Sequence, residues 1–473
     1  MSNQASSSGS DNGTDPRVNV TASIVNWDAL SAIVCKLHQV NLAHWGEQFS
    51  GGYNLIRLLH LHNSHEAVMV VRVPLQPVDG LTVAHSEALC SRIASEVATM
   101  QYIESYTSIP VPHVIHHSAE VDGGGARSPY IIMSKAEGSP LSSMWDEMGD
   151  DKRDAVLRQV VDIYLELSSH RFNKIGALFK GDGVGKDAWY LRPVSFVTDP
   201  DEHYPGRAIS GALYSSGTDY WIAYANANLK NISEQNFGSG TKQFMYAHAW
   251  FLRSLIPSLY DNSLDVTGFP IVPGDFHSQN IMITDTDSGP RIASVIDWEF
   301  SSTAATSSFA QYPLFIVNHP RWDEDHPLRP RNVRDQAVFN EIMHRAERKR
   351  HPEGDLPLSR SFANSYGIYL FQQSIQSPIF FTGLYPLLFT HVFGEEEGFS
   401  ADYYWGLMEH GVLKKHTMRF EEETEVWSEV STLLGGEVAE ASFTRSAFKD
   451  FVLKNEARFA EGGRVQKWLA AEE

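Results

Sequence analysis

The sequence predicts an α+β fold, a β-rich N-terminal lobe set over a mostly helical C-terminal lobe. Three observations predict it. Between Asn41 and Leu75, and again at Tyr130–Met133, short apolar runs alternate with polar or glycine-containing turns, as strands of a sheet do. From Lys152 onward apolar residues recur at three- and four-residue steps, as in helices with one buried face. Inside that helical part, Asn280–Ile283 and Ile292–Ile296 return to the strand pattern around a polar turn at Asp285–Pro290, which reads as a hairpin. With 473 residues, 42% hydrophobic and 11% aromatic, the chain is long enough for two or three domains' worth of core.

The first 16 residues are mostly Ser, Gly, Asn and Asp without an apolar core, and a disordered tail is expected to about residue 25. This is neither a secretory signal nor an Arg-rich transit sequence, and a cytosolic location is expected. Ser50–Asn54, SGGYN, lies between the first two strands. Two adjacent glycines allow a backbone to approach a phosphate and aim its N–H groups at it; an ordinary hairpin turn is the other reading. The strand Ala67–Val73, AVMVVRV, carries Arg72 in an apolar run, and a buried Arg72 needs an anionic partner, either a carboxylate or a nucleotide phosphate. A helix is expected at His85–Tyr106, with Ile93, Val97, Met100 and Ile103 on one face. An extended segment at Ile109–Ser118 and the strand at Tyr130–Met133 follow.

Further helices are expected at Lys152–His170, Thr218–Glu234, Phe339–Lys349 and Ser361–Gln376, with two helix-like stretches in the acidic and apolar final part. The stretch from Gly185 to Gly206 reads as a long loop, either a substrate-recognition element or an insertion without function. Gly181–Asp187 has too few residues between Gly181 and Gly185 for a P-loop, and no Ser or Thr after Lys186. Ser377–Phe393 is broken by Pro378, Pro386 and His391, which makes it a buried helix and not a membrane span. Cys35 and Cys90 are the two cysteines and have no metal or redox spacing, so both read as structural thiols.

The hairpin carries the chemistry. Asp275 stands before its first strand, Asn280 opens that strand, and Asp297 ends the second, so the three side chains gather at one end. Two carboxylates and a carboxamide oxygen are hard ligands suited to Mg²⁺ carrying a phosphate, with one carboxylate left to orient a hydroxyl. Taken singly, Asp275 could cap a turn and Asn280 could close an Asx turn.

G-D-F-H-S-Q-N at Gly274–Asn280, followed by V-I-D-W-E ending at Glu299, resembles the aminoglycoside phosphotransferase family of the protein-kinase-like superfamily. The resemblance spans roughly residues 40–320 and implies a two-lobed protein-kinase-like fold. The N-lobe would run over 26–136, the C-lobe over 137–425, and a helical C-terminal extension over 426–473. It implies ATP in the cleft, covered by Ser50, Gly51 and Gly52, with Arg72 on its phosphates and Glu96 paired to Arg72. It also implies an adenine edge read by backbone at Ser134–Ala136, Asp275 as catalytic base, and Asn280 and Asp297 holding Mg²⁺. His277 and Glu299 match family positions. Two departures stand out: Arg72 replaces the usual Lys, and Pro273 replaces a His that ordinarily holds the catalytic loop.

The implied activity is transfer of the ATP γ-phosphate to a hydroxyl of a small molecule. A net charge of −20 argues against a nucleic-acid partner and is sign-compatible with an amine-bearing acceptor, although solubility alone accounts for it too. A nucleotide-binding pseudokinase is the alternative. A protein kinase fits less well, because no Phe-Gly follows Asp297.

Overall fold

A computed structural model gives the fold and describes residues 15–62, 67–194, 211–234, 239–320, 322–376, 378–394, 406–435 and 445–471. Residues 63–66, between the second and third apolar runs, and most of the loop expected at 185–206 lie outside the described residues. Two compact units form. The first takes the described residues up to 194, Gly211–Gly217 and Asn262–Ser365; the second takes Thr218–Asp261 and the described residues from Tyr366 on. The sheet and the Asp275–Asp297 hairpin therefore share one unit, and no division between units falls at 136/137.

The first unit begins with α1 (Pro16–Ile24) and α2 (Trp27–His38). The expected tail is corrected here: Asp15 caps α1 by accepting from Arg17 N–H, and a proline opens the helix, a start signal that the polar composition before it conceals. A five-stranded antiparallel sheet follows in the order β1-β2-β3-β5-β4, built from β1 (Ala43–Ser50), β2 (Asn54–Leu61), β3 (Val68–Pro74), β4 (Val114–Ser118) and β5 (Tyr130–Ser134). Helix α3 (Val83–Tyr106) comes between β3 and β4. Successive strand residues point to opposite faces. Val71 and Val73 of β3, with Tyr130 and Ile132 of β5, join one core with Leu30 and Val34 of α2. Ile131 and Met133 join the other core with Ile93, Val97 and Met100 of α3. Both faces are covered, which is why β3 reads as a continuous apolar run. The alternation sends Arg72 toward the α3 side.

Beyond β5 the chain passes β6 (Ser139–Pro140), α4 (Asp150–Ser169), β7 (Arg171–Phe172), β8 (Ala177–Lys180) and β9 (Trp189–Arg192). The unit resumes with β10 (Phe269–Val272), the hairpin β11 (Ile281–Thr286) and β12 (Gly289–Val295), then β13 (Ser302–Thr303). The hairpin strands run longer and meet in a tighter turn than expected, with Thr286 opposite Gly289. Helices α7 (Thr306–Phe309), α8 (Arg329–Arg350) and α9 (Pro357–Ala363) complete the core: Val156, Val160 and Leu167 of α4 pack with Ile281, Ile283, Val295, Phe339 and Phe362. Helix α8 starts ten residues before the apolar pattern marks it, because its first turns are polar and Arg-rich.

The second unit is helical among its described residues: α5 (Gly217–Glu234), α6 (Ser239–Leu259), α10 (Ser365–Gln376), α11 (Pro378–Phe393), α12 (Lys414–Leu434), α13 (Arg445–Lys454) and α14 (Arg464–Ala471), with the first residues of α5 and α10 belonging to the first unit. The expected boundary at 425/426 falls inside α12. The single helix expected from Ser361 is two, because α9 ends and α10 begins at Asn364–Ser365. Among the described residues, no single helix is long and apolar enough to cross a membrane.

Candidate functional site

Arg72, buried by the alternation of β3, meets Glu96 of α3 through Nη2, with Asp297 Oδ1 3.2 Å from Nη1 and Glu299 Oε2 3.4 Å from Nη2. Burial opposes the Arg72 charge, but Glu96, Asp297 and Glu299 outweigh it and hold the guanidinium above its ordinary value. Burial also pushes the Glu96 carboxyl up to about 8, against the pull of Arg72 and helped by Glu299 and Asp297. The partner that a buried Arg72 demands is thus carboxylate on three sides.

The Asp275 loop and the Asp297 loop are joined at several points. β10 pairs with β13, Ile271 opposite Thr303 and Val272 opposite Ser302. Gly274 N–H donates to Ser301 Oγ at 3.4 Å, and a Cβ on Gly274 would stand 2.1 Å from Glu299 O, so only glycine permits this approach. These contacts hold the loop where Pro273 cannot. Phe276 packs edge-on against the buried Tyr164, rings 5.5 Å apart. Asn280 Nδ2 donates to Asp275 O at 3.0 Å, and Asn280 O accepts from Ile296 N–H at 2.9 Å, which sets Asn280 beside the residue preceding Asp297. Asp297 itself has φ +61, a left-handed conformation unusual for a residue with a Cβ, held in place by Trp298, which is 1% exposed and bonded through Nε1 to Val295 O.

These commitments decide which atoms remain for a cation. The Asn280 amide nitrogen is used, so its Oδ1 is the free end; Asp297 Oδ1 is on Arg72, so Oδ2 is free; neither oxygen has a protein partner among the described residues. Both are hard donors and fit Mg²⁺ with phosphate oxygens and water completing its shell. Among the described residues no cluster of three or more His, Cys, Asp or Glu side chains has metal-holding geometry. His277 lies next to the expected base: its Nδ1 accepts from Gln279 N–H, so the neutral ring carries its proton on Nε2, 3.1 Å from Asp275 Oδ2.

The remaining predicted residues divide. Ser50, Gly51 and Gly52 form the β1–β2 turn, closed by Gly51 N–H to Asn54 O at 3.0 Å, with open space above both glycines. Ser134 requires a correction as to its donor: its N–H donates to His113 O and its Oγ accepts from His113 N–H, so the residue just before β4 takes the N–H expected for a ligand. Ala136, past the end of β5, stays partly exposed. Sequence reasoning missed Asn54 and Arg92. Asn54 Nδ2 donates to Glu299 Oε2 at 2.7 Å, and Arg92 Nε lies 2.6 Å from Glu299 Oε1. The signal for Arg92 was present, one turn before Glu96 on the same helix face.

A five-stranded antiparallel sheet, a helix returning a carboxylate to the β3 cation, and a hairpin presenting Asp, Asn and Asp beneath them decide the architecture. The fold is two-lobed and protein-kinase-like. No protein-family model matches the chain. A subtelomeric hrmA-associated cluster protein of Aspergillus fumigatus is 30% identical over 129 residues, 27% of this chain and 23% of that protein. Altered inheritance of mitochondria protein 9, mitochondrial, of Candida glabrata is 29% identical over 152 residues, 28% of this chain and 22% of that protein. The match thus spans under a quarter of the length of these curated relatives. Among solved structures, the ADP-bound aminoglycoside phosphotransferase APH(2'')-Ib aligns over 77% of this chain and 97% of its own, at 13% identity and a TM-score of 0.41. The expectation of a cytosolic location is contradicted by those curated relatives that are named as mitochondrial proteins, in several organisms.

Proposed function

We propose that the protein is an ATP-dependent phosphotransferase acting on a hydroxyl of a small molecule. The observation that carries this reading is the pair of uncommitted oxygens, Asn280 Oδ1 and Asp297 Oδ2, on loops joined to the one that presents Asp275. In this reading Asp275 accepts the acceptor's hydroxyl proton, and His277 Nε2–H keeps the carboxylate turned toward it. Asn280 and Asp297 hold Mg²⁺, which when bound neutralises charge on the phosphates. Arg72 turns from Asp297 to the phosphate tail while Glu96 keeps it in place, and the turn of Ser50, Gly51 and Gly52, with open space at both glycines, covers the phosphates. Ala136 supplies backbone to the adenine edge. The net charge of −20 favours a cationic acceptor, and the relatives' names make mitochondria the compartment to examine.

A second reading, nucleotide binding without transfer, is favoured by Arg72 being engaged by three carboxylates. Incubation with Mg·ATP and a panel of amino alcohols, sugars and aminoglycosides separates the two. Transfer predicts ADP release that depends on an acceptor and is lost in Asp275→Ala. Release no greater than in that variant, with every acceptor, leaves the second reading.

A further inference from the structure

We infer that Arg92 is a positioning residue which, through Glu299, ties the turn at residues 50–54 to the loop carrying Asp297, so that closure over the nucleotide and placement of the metal ligand occur together. The inference rests on the phosphotransferase reading of this site and adds a residue that touches none of its reacting groups.

Arg92 and Glu96 lie one helical turn apart on α3, and their roles divide. Glu96 meets Arg72, whereas the Arg92 guanidinium, nearly buried, meets both loops at once. On the metal side its Nε is 2.6 Å from Glu299 Oε1, and its carbon centre is 5.7 Å from the Phe300 ring centroid. On the turn side its Nη2 donates to Tyr53 O at 3.4 Å, with the Tyr53 ring 5.8 Å away. The Tyr53 and Phe300 rings meet edge to face at 5.1 Å. Glu299 completes the link: Oε2 accepts from Asn54 Nδ2 at 2.7 Å and faces Arg72 Nη2.

Glu299 Oε2 thus accepts a hydrogen bond and Oε1 lies in ion-pair contact with Arg92 Nε without a hydrogen bond to it, and this carboxylate, two residues after Asp297, serves as a latch and not as a metal ligand. Arg72 alone cannot balance it, because that guanidinium already faces Glu96 and Asp297. A second buried cation is required, and one with a planar fork spans the carboxylate and the Tyr53 carbonyl together, as a lysine ammonium cannot. Asp297 follows Glu299 whenever the loop moves, since only Trp298 separates them.

Arg92→Lys, which keeps the buried charge, and Arg92→Gln test the inference, with a fluorescent ATP analogue titrated with and without Mg²⁺ and amide hydrogen exchange followed at residues 50–54. The expected result is weaker Mg-dependent binding by roughly tenfold in Arg92→Gln, as for a small misplacement of a positioned group, with less effect without Mg²⁺. Faster exchange at the turn in both variants is expected alongside it, with protection in α4 unchanged. Wild-type affinity and wild-type Mg²⁺ enhancement in both variants overturn the inference, even if thermal stability falls, because that is the mark of a merely structural ion pair. If the wild-type protein binds no nucleotide, the phosphotransferase reading fails by itself; the latch then stands or falls on exchange at 50–54.

Discussion

The buried pair of Arg72 and Glu96 gives the sharpest energetic test. Their side chains are 6% and 1% exposed, so neither charge is relieved by water when the other is removed. Arg72→Met leaves Glu96, Asp297 and Glu299 facing one another without their common cation, and breaking a buried pair in this way costs about 3–5 kcal/mol. Glu96→Leu leaves Arg72 with Asp297 and Glu299 at 3.2 and 3.4 Å, so its cost falls below that range, about 2–3 kcal/mol. The double variant exchanges the pair for packed apolar atoms, and the predicted coupling between the two sites is about 2 kcal/mol or more. Urea unfolding of the four proteins at a pH above the Glu96 value of about 8, where its carboxyl is ionised, with equal slopes required, reads it directly. Costs that add within about 0.5 kcal/mol would refute the account of Arg72 as a residue held by carboxylates.

Two further changes probe the loops and the second unit. Gly274→Ala places a methyl group 2.1 Å from Glu299 O and 2.9 Å from Phe300 Cβ; it is expected to push the two loops apart, cost about 1–3 kcal/mol in urea unfolding and lower ADP release, and a variant of wild-type stability contradicts the close approach. His248 of α6 is fully buried, and burial holds its imidazole well below the ordinary 6.5. The unfolded chain then binds a proton below about pH 6.5 that the folded one refuses, so stability is full above that pH and is lost as pH falls toward the depressed value. In His248→Leu that part of the acid loss disappears, and an unchanged profile of melting temperature against pH counts against it.

The parts legible in the sequence are those written in local pattern. Arg72 stood out because one cation interrupts an apolar strand, and Asp275, Asn280 and Asp297 because a hairpin fixes their spacing at one end. Glu96 was less visible: it neighbours Val97 at the margin of the apolar face of α3, and only the family resemblance singled it out. Asn54 carries no local mark, because its partner Glu299 lies 245 positions away in sequence, and the i, i+4 spacing of Arg92 and Glu96 does not reveal that Arg92 turns to Glu299 as well. The Ser134 donor was misread because strand pairing with β4 cannot be inferred from β5 alone. Helix α1 was hidden by the polar residues before it, although Asp15 and Pro16 form a start signal. The second unit was not anticipated because its helices come from either side of the segment 262–365, and amphipathic periodicity does not say which helices share a core.

The central claim is that Asn280 and Asp297 present their free oxygens to one divalent ion beneath a nucleotide. Calorimetric titration of ATP into the wild-type protein, with Mg²⁺ and then with chelator, tests it most directly, beside Asp297→Asn and Asn280→Ala. The account predicts that Mg²⁺ tightens ATP binding in the wild-type protein and that both variants lose this gain while keeping the metal-free affinity. ATP binding that is absent from the wild-type protein, or that Mg²⁺ leaves unchanged, contradicts it.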